Sequence, residues 1–276
     1  MKLDAAARRF DDLVCADAYT PSIVFKGQLQ LYDDSKRDGA TVERRVLSVA
    51  PAVIPPARRV LSMGGREWLI GDPNPDYFQG KTIRIKYPLH GCDGLATVST
   101  VTQILQAAPG FTAYAALMYV KGAKEVDTSS GVFDVFHLFF AALEPLVERM
   151  MVSLGGRWYL VRTLFKSAAG FLTTVVDELA EPVVEVASFG VRTYDPLTDS
   201  NVDVFAPLTV VRVRWQSAFE YLSAGSEKYV RGDAQVMMPK TVSPKAQDGI
   251  TLSDGPWRVL SVLDETTYWS VHLRRV

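Results

Sequence analysis

Three short segments of this chain, about 90–100 residues apart, share one pattern of residues. Each segment has an apolar run, a Ser, a tight pair containing Gly, then Arg or Trp and a second apolar run. Gly reaches the positive φ angles of tight hairpin turns without strain. The pattern therefore predicts three β-hairpins, one in each of three diverged copies of a small module. The segments are Ala57–Asp72, Val147–Leu164 and Asp248–Asp264.

Each predicted hairpin has a turn marked by Gly and, just after it, an aromatic residue. Pro fixes φ at a negative value, so the third turn, which contains Pro256, must differ in type from the other two. We predict that the aromatic residues fill the module cores. The predicted turn residues are Gly64, Gly65, Gly155, Gly156 and Gly255, and the predicted core aromatics are Trp68, Trp158 (followed by Tyr159) and Trp257.

Further strands flank each hairpin at matching positions. Several of them alternate apolar and polar residues, which is typical of half-buried antiparallel strands. Each unit would then hold about five or six strands, enough for a small barrel or sandwich. The strands predicted before the hairpins are Ile23–Tyr32, Phe111–Val120 and Val210–Gln216, and those after them are Thr82–Tyr87, Phe171–Val176 and Tyr268–Arg274. The chain is therefore predicted to be all-β and mainly antiparallel, with modules at 1–92, 93–181 and 182–276.

Two segments favour helices. Met1–Ala16 fits a short amphipathic helix with Leu3, Phe10, Leu13 and Val14 on one side. This N-terminal helix would either cover the core of the first module or serve as a docking arm. Val98–Ala108 is a second candidate, although Val, Ser and Thr dominate its first half.

Composition limits the partners of the chain. With a formal net charge of -1, it has no global basic field for nucleic acid. The most apolar stretch, Val135–Leu143, is far shorter than the ~20 residues that span a bilayer. Two cysteines, Cys15 and Cys92, fit free thiols in a reducing compartment. We therefore expect a soluble protein without a membrane partner, synthesised in the cytoplasm.

The sequence contains no recognisable catalytic or metal-binding motif. The three histidines are far apart, and no HExxH or CxxC pattern occurs. Gly80-Lys81-Thr82 resembles the end of a phosphate-binding loop, but the upstream Gly of that loop is missing and a strand follows. We therefore predict a protein that is not an enzyme, with no catalytic, cofactor-binding or metal-binding residues.

The C-terminal module carries a family resemblance. It has a strand, the step Asp248-Gly249-Ile250, a turn, the strand Trp257–Val262 and a final strand that ends in Arg274 and Arg275. In this order, the last 35 or so residues resemble the head-tail adaptor and head-completion proteins of tailed bacteriophages. The resemblance extends more weakly back to Val210. Simple adaptors have one such module, whereas this chain has three.

The resemblance implies a small β-barrel with a long loop or hairpin extending from it. It also implies a virion protein that forms a ring at the neck, joins the portal to the tail and helps to retain DNA. Expected partners are copies of itself, portal or adaptor proteins, tail proteins and packaged DNA in the channel. The polar segments Asp33–Arg44, Lys121–Ser130 and Ser223–Asp233 are candidates for ring contacts or channel lining.

Three other functions remain open at this point. Another virion component, such as a tail-tube, baseplate or minor capsid protein, would have a similar β construction. A carbohydrate-binding or other ligand-binding β protein would use Trp68, Trp158 and Trp257 as exposed stacking platforms. A hydrolase with a dispersed active site would carry no short motif.

Overall fold

The computed structural model describes residues 13–22, 24–31, 44–127, 131–179, 182–213 and 232–276. The protein is almost entirely β, with 65% strand and 2% helix. Its strands form three closed, six-stranded antiparallel barrels. The predicted all-β, mainly antiparallel class is confirmed.

The strands of the barrels follow one another along the chain. The first barrel consists of β1 (Leu13–Asp17), β2 (Val24–Leu31), β3 (Arg44–Val49), β4 (Val60–Met63), β5 (Arg66–Ile70) and β7 (Lys81–Gly91), with β6 (Asn74–Phe78) outside the ring. The second consists of β8 (Gly94–Ser99), β9 (Phe111–Asp127), β10 (Gly131–Phe140), β11 (Met151–Leu154), β12 (Arg157–Lys166) and β13 (Leu172–Leu179). The third consists of β14 (Val183–Asp195), β15 (Ser200–Val213), β16 (Ala234–Pro239), β17 (Gly249–Leu252), β18 (Gly255–Asp264) and β19 (Tyr268–Arg275). A short helix, α1 (Val101–Leu105), connects β8 to β9.

All three barrels have the same connectivity. With the six strands of each ring numbered in chain order, the order around the ring is 1-2-3-6-5-4, and strand 4 pairs with strand 1 to close it. The predicted hairpins join strands 4 and 5 in every ring. Because three rings of one topology follow one another, the repeated modules inferred from those hairpins are confirmed.

The first two hairpin turns have the predicted geometry. Gly64 and Gly65 have φ angles of 62° and 75°, and Gly155 and Gly156 have 58° and 79°. Two consecutive positive φ angles define the type I′ turn, whose twist matches that of the flanking strands. The third turn lies two positions earlier than the predicted pair Gly255-Pro256, because Leu252 pairs with Gly255 and leaves Ser253 and Asp254 in the turn.

The core aromatic of the second barrel is Tyr159 rather than the predicted Trp158. Trp68 and Trp257 are the third residues of β5 and β18, and each lies buried in the core of its barrel. The third residue of β12 is Tyr159, which is fully buried in the second core. Successive strand residues point to opposite faces. Trp158 therefore faces outward, where it packs against the apolar contact between the second and third barrels.

The N-terminal helix is not seen, and this prediction is corrected. Leu13–Asp17 is strand β1, which pairs with both β2 and β4 and is needed to close the first ring. Residues 1–12 lie outside the described residues. The second predicted helix is also shorter than expected, because β8 continues to Ser99 and only Val101–Leu105 is helical, with Thr100 as its N-cap.

An apolar contact joins the first and second barrels. Val60 and Leu69 of the first barrel pack in one cluster with Ala116, Phe139 and other buried residues of the second. At its edge, the Arg58 guanidinium lies 3.6 Å from the centre of the Tyr19 ring and forms a 3.0 Å ion pair with the largely buried Glu144. Burial of apolar surface therefore holds these barrels together.

A second apolar contact joins the second and third barrels. Met151, Leu160 and Leu179 of the second barrel pack against the outer faces of strands from the third. Helix α1 contributes the buried Val101 to the same cluster. The residues from the third barrel are Val211, Val213, Met237 and Tyr268.

Asp72 links the first two barrels electrostatically, and this link predicts a pH dependence. Hydrogen bonds from Lys166 and then from Arg59 lower the pKa of Asp72. The ion pairs therefore contribute stability above the unfolded-state pKa of about 4, and this contribution is lost as the pH falls through the lower folded-state pKa. Because the side chains are partly exposed, we expect less than about 1 kcal/mol. Urea unfolding between pH 7 and 3 should show a smaller acid-induced loss in Asp72→Asn than in the wild type; equal losses would contradict the prediction.

Candidate assembly surface

A long hairpin projects from the third barrel. Strands β14 and β15 pair continuously from Val183–Arg212 to Asp195–Ser200. Their other neighbours cover only part of them: β17 pairs with Ser188–Gly190, and β16 pairs with Val211–Val213. Within the described part of the chain, the end of this hairpin therefore has backbone edges that no third strand covers. We call residues 191–204 the distal ribbon.

One face of the distal ribbon continues the core face of the barrel into solvent. Ala187 and Phe189 on β14 are buried in the third core. Two residues further along the same face is Val191, which lies opposite Val204. The exposed fractions of Val191 and Val204 are 47% and 64%. Apolar residues that leave a core for solvent in a continuous stripe are typical of an interaction surface.

The tip of the ribbon is ordered by its own hydrogen bonds. The backbone N–H of Leu197 donates to Asp195 Oδ1 at 2.9 Å, and the Tyr194 hydroxyl donates to Asp199 Oδ1 at 2.7 Å. The second of these bonds raises the pKa of Tyr194. Leu197 itself is 94% exposed. The tip therefore presents a large apolar side chain on a turn that local contacts hold in place.

An ionic network around the buried Arg212 lies at the barrel end of strands β14 and β15, opposite the distal ribbon. The Arg212 side chain on β15 forms a 2.8 Å ion pair with Asp254 in the β17–β18 turn, and its guanidinium lies 5.1 Å from the centre of the Trp257 ring. The Trp257 Nε1–H donates to the same carboxylate at 3.0 Å, and the Ser253 N–H donates to Glu185 on β14 at 2.9 Å. The hydrogen bond from Arg212 lowers the pKa of Asp254. These contacts hold the barrel end of β14 and β15 against the β17–β18 turn.

The three polar segments predicted as ring contacts lie only partly within the described residues. Residues 33–43, 128–130 and 223–231 lie outside the described residues. Lys121–Asp127 is not a bend but the end of strand β9, which pairs with β10. Asp233 is not an exposed contact residue, because its side chain is 3% exposed and pairs with Arg274 at 3.0 Å and with His272 at 2.8 Å.

The tryptophans do not form a row of exposed stacking platforms. Trp68 and Trp257 are only 5% and 3% exposed. Each has an arginine over its ring, Arg66 in the first barrel and Arg212 in the third. Trp158 packs between two barrels, so all three tryptophans are used in packing. They therefore give no support to a glycan-binding function.

His90 lies in an apolar environment. Its ring stacks on Phe171 at 4.2 Å between centres and meets the edge of Phe139 at 4.6 Å. Burial lowers the pKa of His90 to about 3, so the ring is neutral near pH 7. Among the described residues, no three His, Cys, Asp or Glu side chains are grouped so that they could hold a metal ion. The helix found in the described part of the chain is not a membrane-spanning one.

Both cysteines are buried, which predicts slow reaction with thiol reagents. Burial raises the pKa of Cys15 to about 11 and that of Cys92 to about 12. Because the thiolate is the reactive species, neither residue should react rapidly at pH 8 in the folded protein. Titration with a chromogenic disulfide reagent should release two equivalents only after denaturation. Rapid release from the native protein would contradict this placement.

The sequence interpretation did not identify the distal ribbon. It recognised the end of β15 but neither β14 nor the first part of β15. Signals for both are present, because Val183–Thr193 and Asn201–Thr209 are rich in β-branched residues and flank a turn that contains Pro196. Aligning the three copies does not reveal these strands, because β1 and β8, which correspond to β14 in the other two barrels, are much shorter than β14.

Fold and surface together define a class of architecture: an array of three six-stranded barrels in which a long β-hairpin projects from the third. No family model matches the chain, and no curated protein or solved structure matches it.

Proposed function

We propose that this chain is a structural virion protein of a tailed bacteriophage that forms a ring at the head-tail junction. The distal ribbon is the observation that carries the proposal. The resemblance of the C-terminal module implied a small barrel with a hairpin extending from it, and β14 and β15 form such a hairpin on that module. In this role the ring joins the portal to the tail and helps to retain DNA.

The physical properties of the molecule suit assembly. Apolar contacts hold consecutive barrels together, so a partner bound at one barrel is held at a defined distance from a partner bound at the next. The ribbon offers uncovered backbone edges and exposed apolar side chains, which add readily to a neighbouring sheet. Contacts between two different surfaces of identical chains form rings when the rotation between copies closes.

The proposal is tested by measuring particle mass. The purified chain is measured by native mass spectrometry alone and after mixing with the portal ring from the same source. We expect a closed ring on the portal. A ribbon-shortened variant, in which residues 192–203 are replaced by Asn-Gly, serves as the comparison and should bind the portal more weakly.

Two results would count against the neck position. A chain that forms rings but ignores the portal would belong elsewhere in the virion, in the tail tube or baseplate. A chain that stays monomeric and ignores the portal would remove the support for a connector. Circular dichroism of the ribbon-shortened variant should match that of the wild type, because the ribbon lies outside the closed barrel.

A further inference from the structure

We propose that the distal ribbon of one copy docks against the β6–β7 hairpin of a second copy, so that the chains associate head to tail. This inference rests on the proposed ring-forming function and names the two surfaces that would build the ring. The partner is a second copy of this chain, because the two hairpins complement each other in shape, exposure and charge.

The β6–β7 hairpin is a second projecting element, and it lies on the first barrel. Strand β6 is outside the closed ring, and within the described residues it pairs only with β7. On its other side β7 pairs with β3 only from Ile85 onward. Among the described residues, β6 and the segment Lys81–Arg84 therefore each have one uncovered backbone edge.

This hairpin also exposes large apolar side chains. Tyr77 and Phe78 on β6 are 66% and 62% exposed. Ile83 on β7 is 50% exposed, and it lies two residues before Ile85, which packs against the first core. As in the distal ribbon, a core-facing stripe continues into solvent. Two such edges can pair by adding strand to strand, with apolar side chains meeting across the new sheet.

The two hairpins carry opposite charge. Residues 191–204 contain one basic residue, Arg192, and three acidic ones, which gives a formal charge of -2. Residues 74–86 contain one acidic residue, Asp76, and three basic ones, which gives +2. Complementary charge favours this pairing over ribbon with ribbon or β6–β7 with β6–β7. The acidic residues of the ribbon are Asp195, Asp199 and Asp203, and the basic residues of the other hairpin are Lys81, Arg84 and Lys86.

The positions of the hairpins make the contact heterologous. One is on the first barrel and the other on the third, so a copy that uses its ribbon still has its β6–β7 hairpin free for another copy. An isologous dimer would consume the same surface on both partners, whereas this contact propagates from copy to copy until the ring closes.

The test uses two full-length variants with complementary defects. The ribbon-shortened variant keeps the β6–β7 hairpin. A charge-reversed variant, Lys81→Glu with Arg84→Glu, keeps the ribbon. In sedimentation velocity at low ionic strength, we expect the wild type to form higher oligomers that dissociate as salt is raised. Each variant alone should associate more than about tenfold more weakly than the wild type, because like charges or a missing edge face the partner.

Mixing the two variants is the decisive step. Each retains the surface that the other lacks, so an equimolar mixture should form a 1:1 dimer that grows no further. A control changes one exposed apolar and one exposed basic residue outside both hairpins, Ile54→Ser with Lys245→Glu, and should assemble like the wild type. Wild-type-like assembly of either defective variant, a mixture without dimer, or a wild type that is monomeric at every concentration would overturn the inference.

Failure of this inference is distinguishable from failure of the proposed function. Portal-bound rings that form equally well from the ribbon-shortened variant would overturn the inference and leave the neck function standing. Head-to-tail oligomers that complement as described but ignore the portal would support the inference and remove the neck function.

Discussion

Arg212→Ala is expected to lower the free energy of unfolding of the third barrel by about 2 kcal/mol, since it removes the buried cation of an ionic network whose carboxylates are only partly buried. Arg212 is 8% exposed and contacts Asp254, Glu185 and the Trp257 ring. Removing the guanidinium leaves two carboxylates close to an apolar wall. Urea unfolding followed by tryptophan fluorescence measures the change.

Arg275→Ala is the matched control for this prediction. Arg275 lies over the same Trp257 ring, at 6.0 Å from its centre, but it is exposed. Its loss should cost about 0.5 kcal/mol or less, as for other surface positions. Equal effects of the two substitutions would show that the Arg212 network does not anchor the barrel end of β14 and β15. Weaker self-association of Arg212→Ala at a urea concentration where the barrel stays folded would link the network to ribbon orientation.

Phe171→Ala is expected to cost about 4 kcal/mol, because it opens a cavity in the contact between the first two barrels. Phe171 is 1% exposed, stacks on His90 and contacts Phe139 edge to face. Because the residue lies between barrels, the change should also separate their unfolding. Differential scanning calorimetry should resolve an additional transition in the variant compared with the wild type.

Phe165→Ala provides the control of the same residue type in the same barrel. Phe165 lies on β12 and is 48% exposed, so its removal opens no buried cavity. We expect a change of about 0.5 kcal/mol or less. Two results would contradict the prediction: a similar loss of unfolding free energy in both variants, or a single calorimetric transition for Phe171→Ala. Either would mean that the apolar contact does not couple the barrels.

The local features of this chain could be predicted from the sequence because backbone and side-chain geometry specify them within a few residues. The Gly pairs at 64–65 and 155–156 predict type I′ turns, since these turns need two positive φ angles. Alternating residues predict β7, β13 and β19 through the two-residue period of a strand. Three repeats of these signals were enough to predict the all-β class and the repeated modules, with barrel and sandwich both left open.

Other features were missed because they depend on partners distant in sequence. Leu13–Asp17 has an apolar pattern that also fits a helix, and it becomes a strand because β2 and β4 bind it on both sides. Trp158 and Tyr159 are adjacent and both apolar. Only the register of β12 against β11 and β13 decides that Tyr159 enters the core and Trp158 the contact between barrels.

Sequence alone specified the strands around each hairpin, the two Gly-Gly turns and the threefold repetition, because these follow from φ preferences and side-chain periodicity. Tertiary structure decided which strands close each ring, which outer faces the barrels bury against each other and which hairpins extend beyond them. The ribbon illustrates the difference: Val191 and Val204 have the residue type of a core strand. They are exposed because β17 ends its pairing with β14 at Gly190, and backbone pairing between distant segments is a property of the folded chain.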